Sequence, residues 1–389
     1  MQEIGVLFVL SSWTYIVYVY LGYPLILWIL VQLRFRSVLQ NDITPFVTLI
    51  ISAYNEELSI QGKLENSLAL DYPRDSLEII VVSDASTDKT DSLVQAFETR
   101  GAILLRRSER GGKTLGLNAA LKSAKGDVVL FSDANIFYDK GVVRRLVRNF
   151  ADPLVGCVTG DSRYITDTIT AAHRQESAYW DYERLIRTWE SQIGSSVGGD
   201  GAIFAIRREF FTELAPDAIN DLVIPLQIVS AGFRAVFEPG AVGYESSAGT
   251  YGGEFRRKQR IVNRSWKGIL SVSGILNPLK VGIFAWQVWS HKLLRWFVLP
   301  VWVASGFVCI LGAGINFVFV VGALGFLASL VIGGLGVFTL KKSWLVARMA
   351  QATAYFYLVN LAAFIGILRA IFGKVEILWD SERQKSENR

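Results

Sequence analysis

Leu77-Glu78-Ile79-Ile80-Val81-Val82-Ser83-Asp84-Ala85-Ser86 is a run of mostly apolar residues that ends on a carboxylate. A second run, Asp127-Val128-Val129-Leu130-Phe131-Ser132-Asp133-Ala134-Asn135, has the same form. Such runs are typical of strands that are buried on both faces of a parallel sheet. A carboxylate at the carboxyl end of such a strand lies where open α/β sheets bind ligands. The two runs therefore predict an α/β fold with Asp84 and Asp133 at one edge of its sheet.

Strand and helix patterns alternate around these two runs. Further strands are predicted at residues 46–51 and 102–105, and helices at 57–68, 88–97 and 113–123. Because helices of this length separate the strands, we expect right-handed crossovers and a mostly parallel sheet.

Long apolar segments lie on both sides of the α/β stretch. Residues 5–33 are almost entirely apolar or aromatic, and Arg34 and Arg36 follow, which predicts an uncleaved membrane anchor with residue 34 onward in the cytoplasm. Three more spans are predicted at about 294–314, 317–338 and 349–372. With residue 34 onward in the cytoplasm, four spans would put both termini outside, but a basic tail is expected on the cytoplasmic side. Whether the number of spans is even or odd therefore stays open, and a re-entrant segment is one alternative. The predicted organisation is a transmembrane helix (5–33), a cytosolic domain (34–268), an interfacial amphipathic helix (269–291), about three transmembrane helices (292–373) and a polar basic tail (374–389).

The composition agrees with a membrane protein. The 389 residues have a mean hydropathy of +0.33, a hydrophobic content of 51% and eleven Trp. The net charge of +5 is spread over membrane flanks and one helix, so we expect no nucleic-acid partner. Cys157 and Cys309 fall in a strand-like and a spanning segment, and with only two His residues neither a disulfide nor a zinc site is expected.

Six short motifs occur in order along the α/β stretch. They are Ser52-Ala53-Tyr54-Asn55-Glu56-Glu57, Ser83-Asp84-Ala85-Ser86-Thr87-Asp88, Gly111-Gly112-Lys113-Thr114-Leu115-Gly116-Leu117-Asn118, Asp133-Ala134-Asn135, Gly199-Asp200-Gly201-Ala202-Ile203-Phe204-Ala205-Ile206-Arg207-Arg208 and Asn220-Asp221. Through these motifs, over about residues 46–270, the chain resembles a membrane-integral family-2 glycosyltransferase with the A-type nucleotide-sugar-binding fold. The flanking segments resemble those of bacterial polysaccharide synthases such as poly-N-acetylglucosamine, hyaluronan and cellulose synthases.

The resemblance implies a nucleotide-sugar donor, and the expected donor is a UDP-sugar. The residues that it assigns to donor binding are Tyr54, Glu56, Asp84, Lys113, Asn118 and Asp133. Arg257, Arg260 and Arg264 recur at spacings of three and four residues, so they are predicted to share one helix face that could meet the diphosphate. Structural alternatives remain: Asp84 could cap a helix, Lys113 could be a surface lysine in an ordinary turn, and the arginines could form a basic collar that attracts anionic lipid. Asp200 lies between two glycines, which suggests a close backbone approach, with the acceptor as the candidate ligand.

The resemblance also implies a divalent cation, Mg2+ or Mn2+, with Asp133 and Asn135 as its ligands. The family usually has a second acid where this chain has Asn135. An amide oxygen still binds a hard cation, but we expect weaker binding that depends more on the substrate phosphates. The alternative for Asp133 is that it only caps a turn.

Asp221 is the candidate general base. In an inverting transfer, a carboxylate beside the acceptor hydroxyl takes its proton. The family usually has two or more acids here, whereas Asn220 precedes Asp221 in this chain, and an N-cap of the apolar helix that follows is the alternative.

Two features leave the acceptor open. The aromatic residues at 179–182 have a helical spacing that suits either core packing or a sugar channel. Processive synthases usually carry Gln-x-x-Arg-Trp, but here Gln259-Arg260-Ile261 departs from it, and Arg264 and Trp266 are displaced. The leading hypothesis is a membrane enzyme that extends an exported or cell-surface polysaccharide. The alternatives are transfer of one sugar to a polyprenyl phosphate or other lipid acceptor, and a catalytically silent subunit that binds nucleotide sugar, with partner subunits left open.

Overall fold

The computed structural model describes residues 2–165, 171–246, 251–339 and 344–375. Most of the predicted basic tail, from residue 376 onward, lies outside the described residues. Within the described ranges, eight strands form one sheet in the order β3-β2-β1-β4-β7-β6-β8-β5. The strands are β1 (Val47–Ala53), β2 (Leu77–Ser83), β3 (Ala102–Arg106), β4 (Val128–Asp133), β5 (Ile136–Tyr138), β6 (Val155–Ile165), β7 (Ile203–Arg207) and β8 (Arg234–Ser246).

The sheet is mixed but mostly parallel. Strands β3, β2, β1 and β4 run parallel, and β6 pairs with β8 in the same sense. The antiparallel pairs are β4 with β7, β7 with β6, and β8 with β5. The predicted α/β class with a mostly parallel sheet is therefore confirmed. All seven residues of β1 are buried, as expected for a central strand covered on both faces.

Helices cover both faces of the sheet and continue into apolar segments. The α-helices are α1 (Gln2–Val17), α2 (Tyr23–Arg34), α3 (Ile60–Leu68), α4 (Thr90–Gln95), α5 (Lys113–Ser123), α6 (Val142–Val147), α7 (Ala171–Ile193), α8 (Asn220–Ser230), α9 (Tyr251–Ser271), α10 (Pro278–Val281), α11 (Ile283–Val288), α12 (Leu294–Trp296), α13 (Val298–Gly312), α14 (Phe317–Phe338) and α15 (Leu345–Ile371). A π-helical turn at Tyr18–Gly22 joins α1 to α2, and another at Trp289–Leu293 joins α11 to α12.

Within the part of the chain that the structure describes, three helical segments are long and apolar enough to cross a membrane. They are Gln2–Arg34, Phe317–Phe338 and Leu345–Ile371. A bent pair, Ile283–Trp296 and Val298–Gly312, meets at 54° and would raise the number to four if it forms one span. The bend falls where Pro300 has no N–H to donate to the carbonyl of Trp296, four residues earlier. Residues 269–291 are not one helix, because they contain the end of α9, a 3-10 turn at Ser273–Leu276, and the short helices α10 and α11.

The core on one face of the sheet is continuous with the apolar helices. One buried cluster includes Phe131 of β4, Leu117 of α5, Val223 of α8, Val262 of α9 and Ile367 of α15. The sheet is thus packed directly against helices that continue into the candidate membrane region, with α9 between α8 and α15.

Candidate active site

Asp84 organises the glycine turn that precedes α5. Its carboxylate is almost fully buried and accepts hydrogen bonds from Arg107 Nη1 at 2.5 Å, from the Gly111 N–H at 3.0 Å and from the Gly112 N–H at 2.8 Å. Gly112 has a φ of +89°, a conformation that a side chain would strain. The buried carboxylate therefore fixes the entry into α5. Its partner Arg107, which directly follows β3, was missed by the sequence analysis.

The loop after β1 is tied to the loop after β2. Asn55, with a φ of +52°, donates its N–H to Ser86 Oγ at 3.1 Å and accepts the Thr87 N–H at 2.8 Å. The Glu56 carboxylate accepts a hydrogen bond from Ser59 Oγ at 2.6 Å. The guanidinium of Arg110 lies 3.8 Å from the centre of the Tyr54 ring. Tyr54 and Glu56 therefore lie in the loop beside the Asp84 turn, at the same edge of the sheet.

Lys113 links the end of β4 to the loop that precedes β7. Its Nζ donates to the carboxylate of Asp133, at the end of β4, and to the carbonyl oxygen of Gly201 at 2.8 Å. A 16% exposed lysine paired with a 36% exposed carboxylate leaves part of the aspartate open to solvent. This ion pair places a cation and an accessible anion side by side where the strands end.

The residues expected to hold a cation form a sparse ligand set. Asp133 supplies one carboxylate, already shared with Lys113, and the partly exposed Asn135 follows two residues later. Among the residues that the structure describes, no group of three His, Cys, Asp or Glu side chains is arranged to hold a metal ion. The donor set fits a hard divalent cation only if phosphate oxygens and water complete it.

Asn118 lies outside this constellation. Its side chain is buried and binds both backbone groups of Leu214: Nδ2 donates to the Leu214 carbonyl at 2.8 Å and Oδ1 accepts the Leu214 N–H at 3.1 Å. The structure therefore gives Asn118 a role in holding the segment 212–218 and does not bring it to the donor edge.

Asp200 is held between β6 and β7. Its Oδ2 accepts a hydrogen bond from Ser162 Oγ at 2.5 Å and its backbone N–H donates to Thr159 Oγ1 at 2.8 Å. Nearby, burial raises the pKa of Glu245 to about 7, and the charges of Asp200 and Asp133 add to this effect. Glu245, at the end of β8, is an acidic group that the sequence analysis missed.

Asp221 lies at the first turn of α8, opposite Gly201. A Cβ on Gly201 would lie 3.1 Å from Asp221 Oδ2, so a side chain at this position would press on the carboxylate and displace it by a few tenths of an ångström. Asp221 Oδ1 is enclosed and has no hydrogen-bond partner within the described part of the chain. Burial raises the pKa of this carboxyl, with the Lys113 cation opposing the shift and the Asp200 charge adding to it. A carboxyl with a raised pKa and an unused oxygen is suited to accept a proton.

The three arginines of α9 that were predicted to bind substrate have different surroundings. Arg257 binds Glu254 at 2.7 Å and donates to the Tyr164 hydroxyl at 2.6 Å. Arg264 donates to the carbonyls of Asp217 and Ala218, just before α8, and to Thr114 Oγ1 at 3.0 Å. Arg260 is half-buried between them. Arg264 therefore contacts the segment before α8 and the first turn of α5.

Comparison with known proteins identifies the domain. The family model "Glycosyl transferase family 2" matches residues 48–215. This segment is a family-2 glycosyltransferase domain. The chain is 29% identical over 231 residues to the probable glycosyltransferase YdaM of Bacillus subtilis (strain 168), covering 56% of this chain and 54% of that protein. It is 27% identical over 220 residues to the poly-beta-1,6-N-acetyl-D-glucosamine synthase of Staphylococcus aureus (strain COL), covering 55% and 53%.

These curated relatives are matched over about half of their own length. A solved structure is similar over a larger share. The mannosyltransferase PcManGT from Pyrobaculum calidifontis, in complex with GDP-Man and Mn2+, has a TM-score of 0.73 and 24% identity, covering 95% of this chain and 99% of that chain. This likeness shows that the glycosyltransferase domain and its apolar helices share the architecture of that protein.

An aromatic wall formed by Tyr179, Trp180 and Tyr355 lies where α7 meets α9 and α15. Tyr179 and Tyr355 contact edge to face at 6.5 Å, and the ammonium of Lys258 lies 3.8 Å from the centre of the Tyr179 ring. The indole N–H of Trp180 is enclosed and has no partner among the described residues. The residues at 179–182 therefore line the junction between the domain and the apolar helices.

A buried polar network, also missed by the sequence analysis, attaches the domain to the apolar helices. Glu190 accepts a hydrogen bond from the Tyr23 hydroxyl, lies 2.8 Å from His291 Nδ1 and accepts the Val197 N–H at 2.9 Å. His291 Nε2 lies 3.0 Å from Glu183, which also binds Arg295. The network joins α2, α7 and the bent pair to the loop that leads to Asp200. Its members are far apart in sequence, so no local motif could have revealed it.

Proposed function

We propose that this protein transfers a sugar from a nucleotide-sugar donor to an acceptor hydroxyl, with inversion at the anomeric carbon. The observation that carries the proposal is the convergence of Asp221, the Lys113–Asp133 ion pair and Gly201 at one edge of a family-2 domain. Asp221 offers a proton acceptor on one side of Gly201. On the other side, Lys113 offers a positive charge for the diphosphate, and Asp133 lies beside it.

The proposed donor is a UDP-sugar held along the loops after β1 and β2. The Asp84 turn presents a helix N-terminus and Lys113, which together favour an anionic diphosphate. Tyr54 and Glu56 are proposed to contact the nucleoside. Asp133 and Asn135 are proposed to hold Mg2+ or Mn2+, and the similarity to PcManGT, whose structure is a complex with Mn2+, supports a divalent cation. A bound cation would supply countercharge for the leaving diphosphate.

The proposed chemistry uses Asp221 as the general base. Its carboxylate accepts the proton of the acceptor hydroxyl as that oxygen attacks the anomeric carbon. The bond that breaks is the one between this carbon and the diphosphate oxygen, and Lys113 is positioned to compensate the charge that develops there. Asp200 orients the Gly199–Gly201 turn, whose backbone borders the acceptor space.

The proposed product is an exported or cell-surface polysaccharide, made by an integral membrane protein whose catalytic domain faces the cytoplasm. The apolar helices, the basic Arg34 and Arg36 after the first of them and the similarity to the Staphylococcus synthase support this proposal. In the aromatic wall, Tyr179 and Trp180 are partly exposed, so this wall is suited to stack a sugar ring.

A second candidate is single transfer to a lipid-linked acceptor such as a polyprenyl phosphate. It is favoured by Trp266, the displaced tryptophan of α9, which packs against Trp296 at 6.4 Å and Phe297 at 6.0 Å and so turns away from the site. Without a stacking tryptophan from α9, a growing glycan has one fewer anchor.

The test is donor turnover by the detergent-solubilised protein across UDP- and GDP-sugars with Mg2+ or Mn2+. Products are analysed by size and by partition into organic solvent. Metal-dependent formation of long water-soluble chains supports the polysaccharide product, and solvent-soluble single additions support the lipid acceptor. Nucleotide binding without turnover in the presence of both acceptor classes contradicts the proposed enzyme and favours a silent binding subunit.

A further inference from the structure

Helix α9 lies between the catalytic helix α8 and the apolar helix α15, and glycines make both approaches close. A Cβ on Gly268 of α9 would lie 2.8 Å from Val223 Cγ2 of α8. A Cβ on Gly366 of α15 would lie 2.7 Å from the Gln259 carbonyl oxygen and 3.2 Å from the Asn263 backbone nitrogen of α9. The second approach is backbone against backbone, so it cannot be relieved by turning a side chain.

Hydrogen bonds fix α9 against α15 at the same point. Asn263 is buried, and its Nδ2 donates to the carbonyl of Gly366 at 3.2 Å and to that of Lys374 at 2.9 Å. The latter carbonyl follows the end of α15, which is at Ile371. One asparagine therefore fastens α9 to the C-terminal part of an apolar helix and to the chain just beyond it.

The residue next to Asn263 holds the catalytic loops. Arg264 donates to the carbonyls of Asp217 and Ala218 and to Thr114 Oγ1, which itself donates to the Ala218 carbonyl at 2.8 Å. Asp221 follows three residues after Ala218, and Lys113 directly precedes Thr114. A shift of α9 is thus passed through one guanidinium to the loop before Asp221, whereas the Lys113 ammonium keeps its own contacts with Asp133 and the Gly201 carbonyl.

We propose that Gly366 is a positioning residue for the catalytic base. Its missing side chain lets α9 lie close enough to α15 for Arg264 to hold the loop before Asp221. The proposal rests on the proposed transfer activity only for its kinetic consequence, because the position of the loop can be measured independently. It makes α15 a part of the catalytic apparatus as well as a candidate membrane span.

The test compares Gly366→Ala with Gly325→Ala. Moving the added Cβ from 2.7 Å to an ordinary contact of 3.4 Å requires α9 to retreat by about 0.7 Å. Gly325 lies on the exposed side of α14, where an added Cβ meets nothing within 4 Å among the described residues, so this variant controls for an alanine in an apolar helix. The readouts are hydrogen exchange of residues 215–222, nucleotide affinity, and kcat and KM for the donor.

We expect faster exchange of residues 215–222 in Gly366→Ala, unchanged nucleotide affinity, and a kcat that is lower by roughly 10- to 100-fold at a similar donor KM, because small misplacements of catalytic groups have effects of this size. Gly325→Ala should match the unchanged protein. Exchange and kcat both unchanged in Gly366→Ala would overturn the proposal. Inactivity of the unchanged protein would contradict the proposed function instead. In that case hydrogen exchange of residues 215–222 would still show whether Gly366 sets the position of the loop before Asp221.

A general loss of protection, including β1, would mean that Gly366→Ala does not fold. Asn263→Ala then decides, since it removes the two hydrogen bonds to the carbonyls of Gly366 and Lys374 without adding bulk. Faster exchange confined to residues 215–222 in that variant supports the proposal, and exchange identical to the unchanged protein contradicts it.

Discussion

Replacing Asp84 with Asn should loosen the glycine turn at the donor edge. The Asp84 carboxylate is 3% exposed and Arg107 is 20% exposed, and the same carboxylate also accepts the N–H groups of Gly111 and Gly112. Asparagine keeps one acceptor oxygen but presents an NH2 group to at least one of these donors. The charge of Arg107 is then left without its partner in a mostly buried site.

The size of the effect follows from these contacts. Breaking one side of a buried ion pair costs about 3–5 kcal/mol, and the partial exposure of Arg107 favours the lower end, about 3 kcal/mol. If the turn must be ordered to bind the diphosphate, this corresponds to a UDP affinity that is weaker by roughly 100-fold. Isothermal titration with UDP and thermal unfolding in detergent measure the two consequences.

Asp91→Asn is the matched control. Asp91 pairs with Arg106, the neighbour of Arg107, at 2.6 Å, but that arginine is 53% exposed. Exposed pairs contribute about 0.2–1 kcal/mol, so this variant should bind UDP almost as the unchanged protein does. Equal UDP affinities and equal melting temperatures for the two variants would refute the view that Asp84 organises the turn.

Three further predictions concern lysines and the proposed cation site. Lys113→Met should lower kcat/KM by roughly 100-fold or more, as expected for a charge at the leaving group, whereas Lys122→Met, at a 71% exposed position, should leave it unchanged in the same steady-state assay. Asn135→Asp should lower the Mn2+ concentration that gives half-maximal activity, because a carboxylate is a stronger ligand for a hard cation; an unchanged or higher requirement would contradict ligation at this position. Burial lowers the pKa of Lys63 from 10.5 to about 7, so between these values the unfolded chain binds more protons and stability rises with pH. Lys63→Met should remove this rise in thermal-unfolding scans, and a persisting rise would assign it to another group.

The parallel half of the sheet follows from local sequence. The predicted strands at residues 46–51 and 77–82 correspond to Val47–Ala53 and Leu77–Ser83, because continuous apolar runs have few other places to be buried. The antiparallel pairs through β7 and β8 join residues that are far apart in sequence, and no turn signal announces them. The predicted helix at 57–68 begins at Ile60 because Asn55 takes a left-handed conformation and the next residues form a turn.

The placement of the candidate residues was predictable where a motif and a strand end coincide. Asp84, Asp133, Lys113 and Asp221 all lie at the sheet edge that the sequence indicates. Asn118 has the expected spacing, but its side chain forms hydrogen bonds with the backbone of Leu214, a contact that only the folded chain reveals.

Partners that come from distant segments could not be inferred from the sequence. The spacing of the arginines along α9 suggested that they share one face of the helix. In the structure, however, Arg257 binds Tyr164 of β6, whereas Arg264 binds the loop before α8. Likewise Glu190 and His291, separated by a hundred residues of chain, meet only because α7 packs against the bent pair.

The most direct test of the proposed mechanism is the pH dependence of kcat for the unchanged protein and for Asp221→Asn, with UDP affinity measured alongside. Burial raises the pKa of Asp221, so activity of the unchanged protein should increase with pH through a value above the ordinary range of an aspartate. Asp221→Asn should retain UDP affinity, lose roughly 100- to 10,000-fold in kcat and lose the acid limb of the profile. Transfer by Asp221→Asn at the unchanged rate, with the same acid limb, would contradict the assignment of Asp221 as the general base.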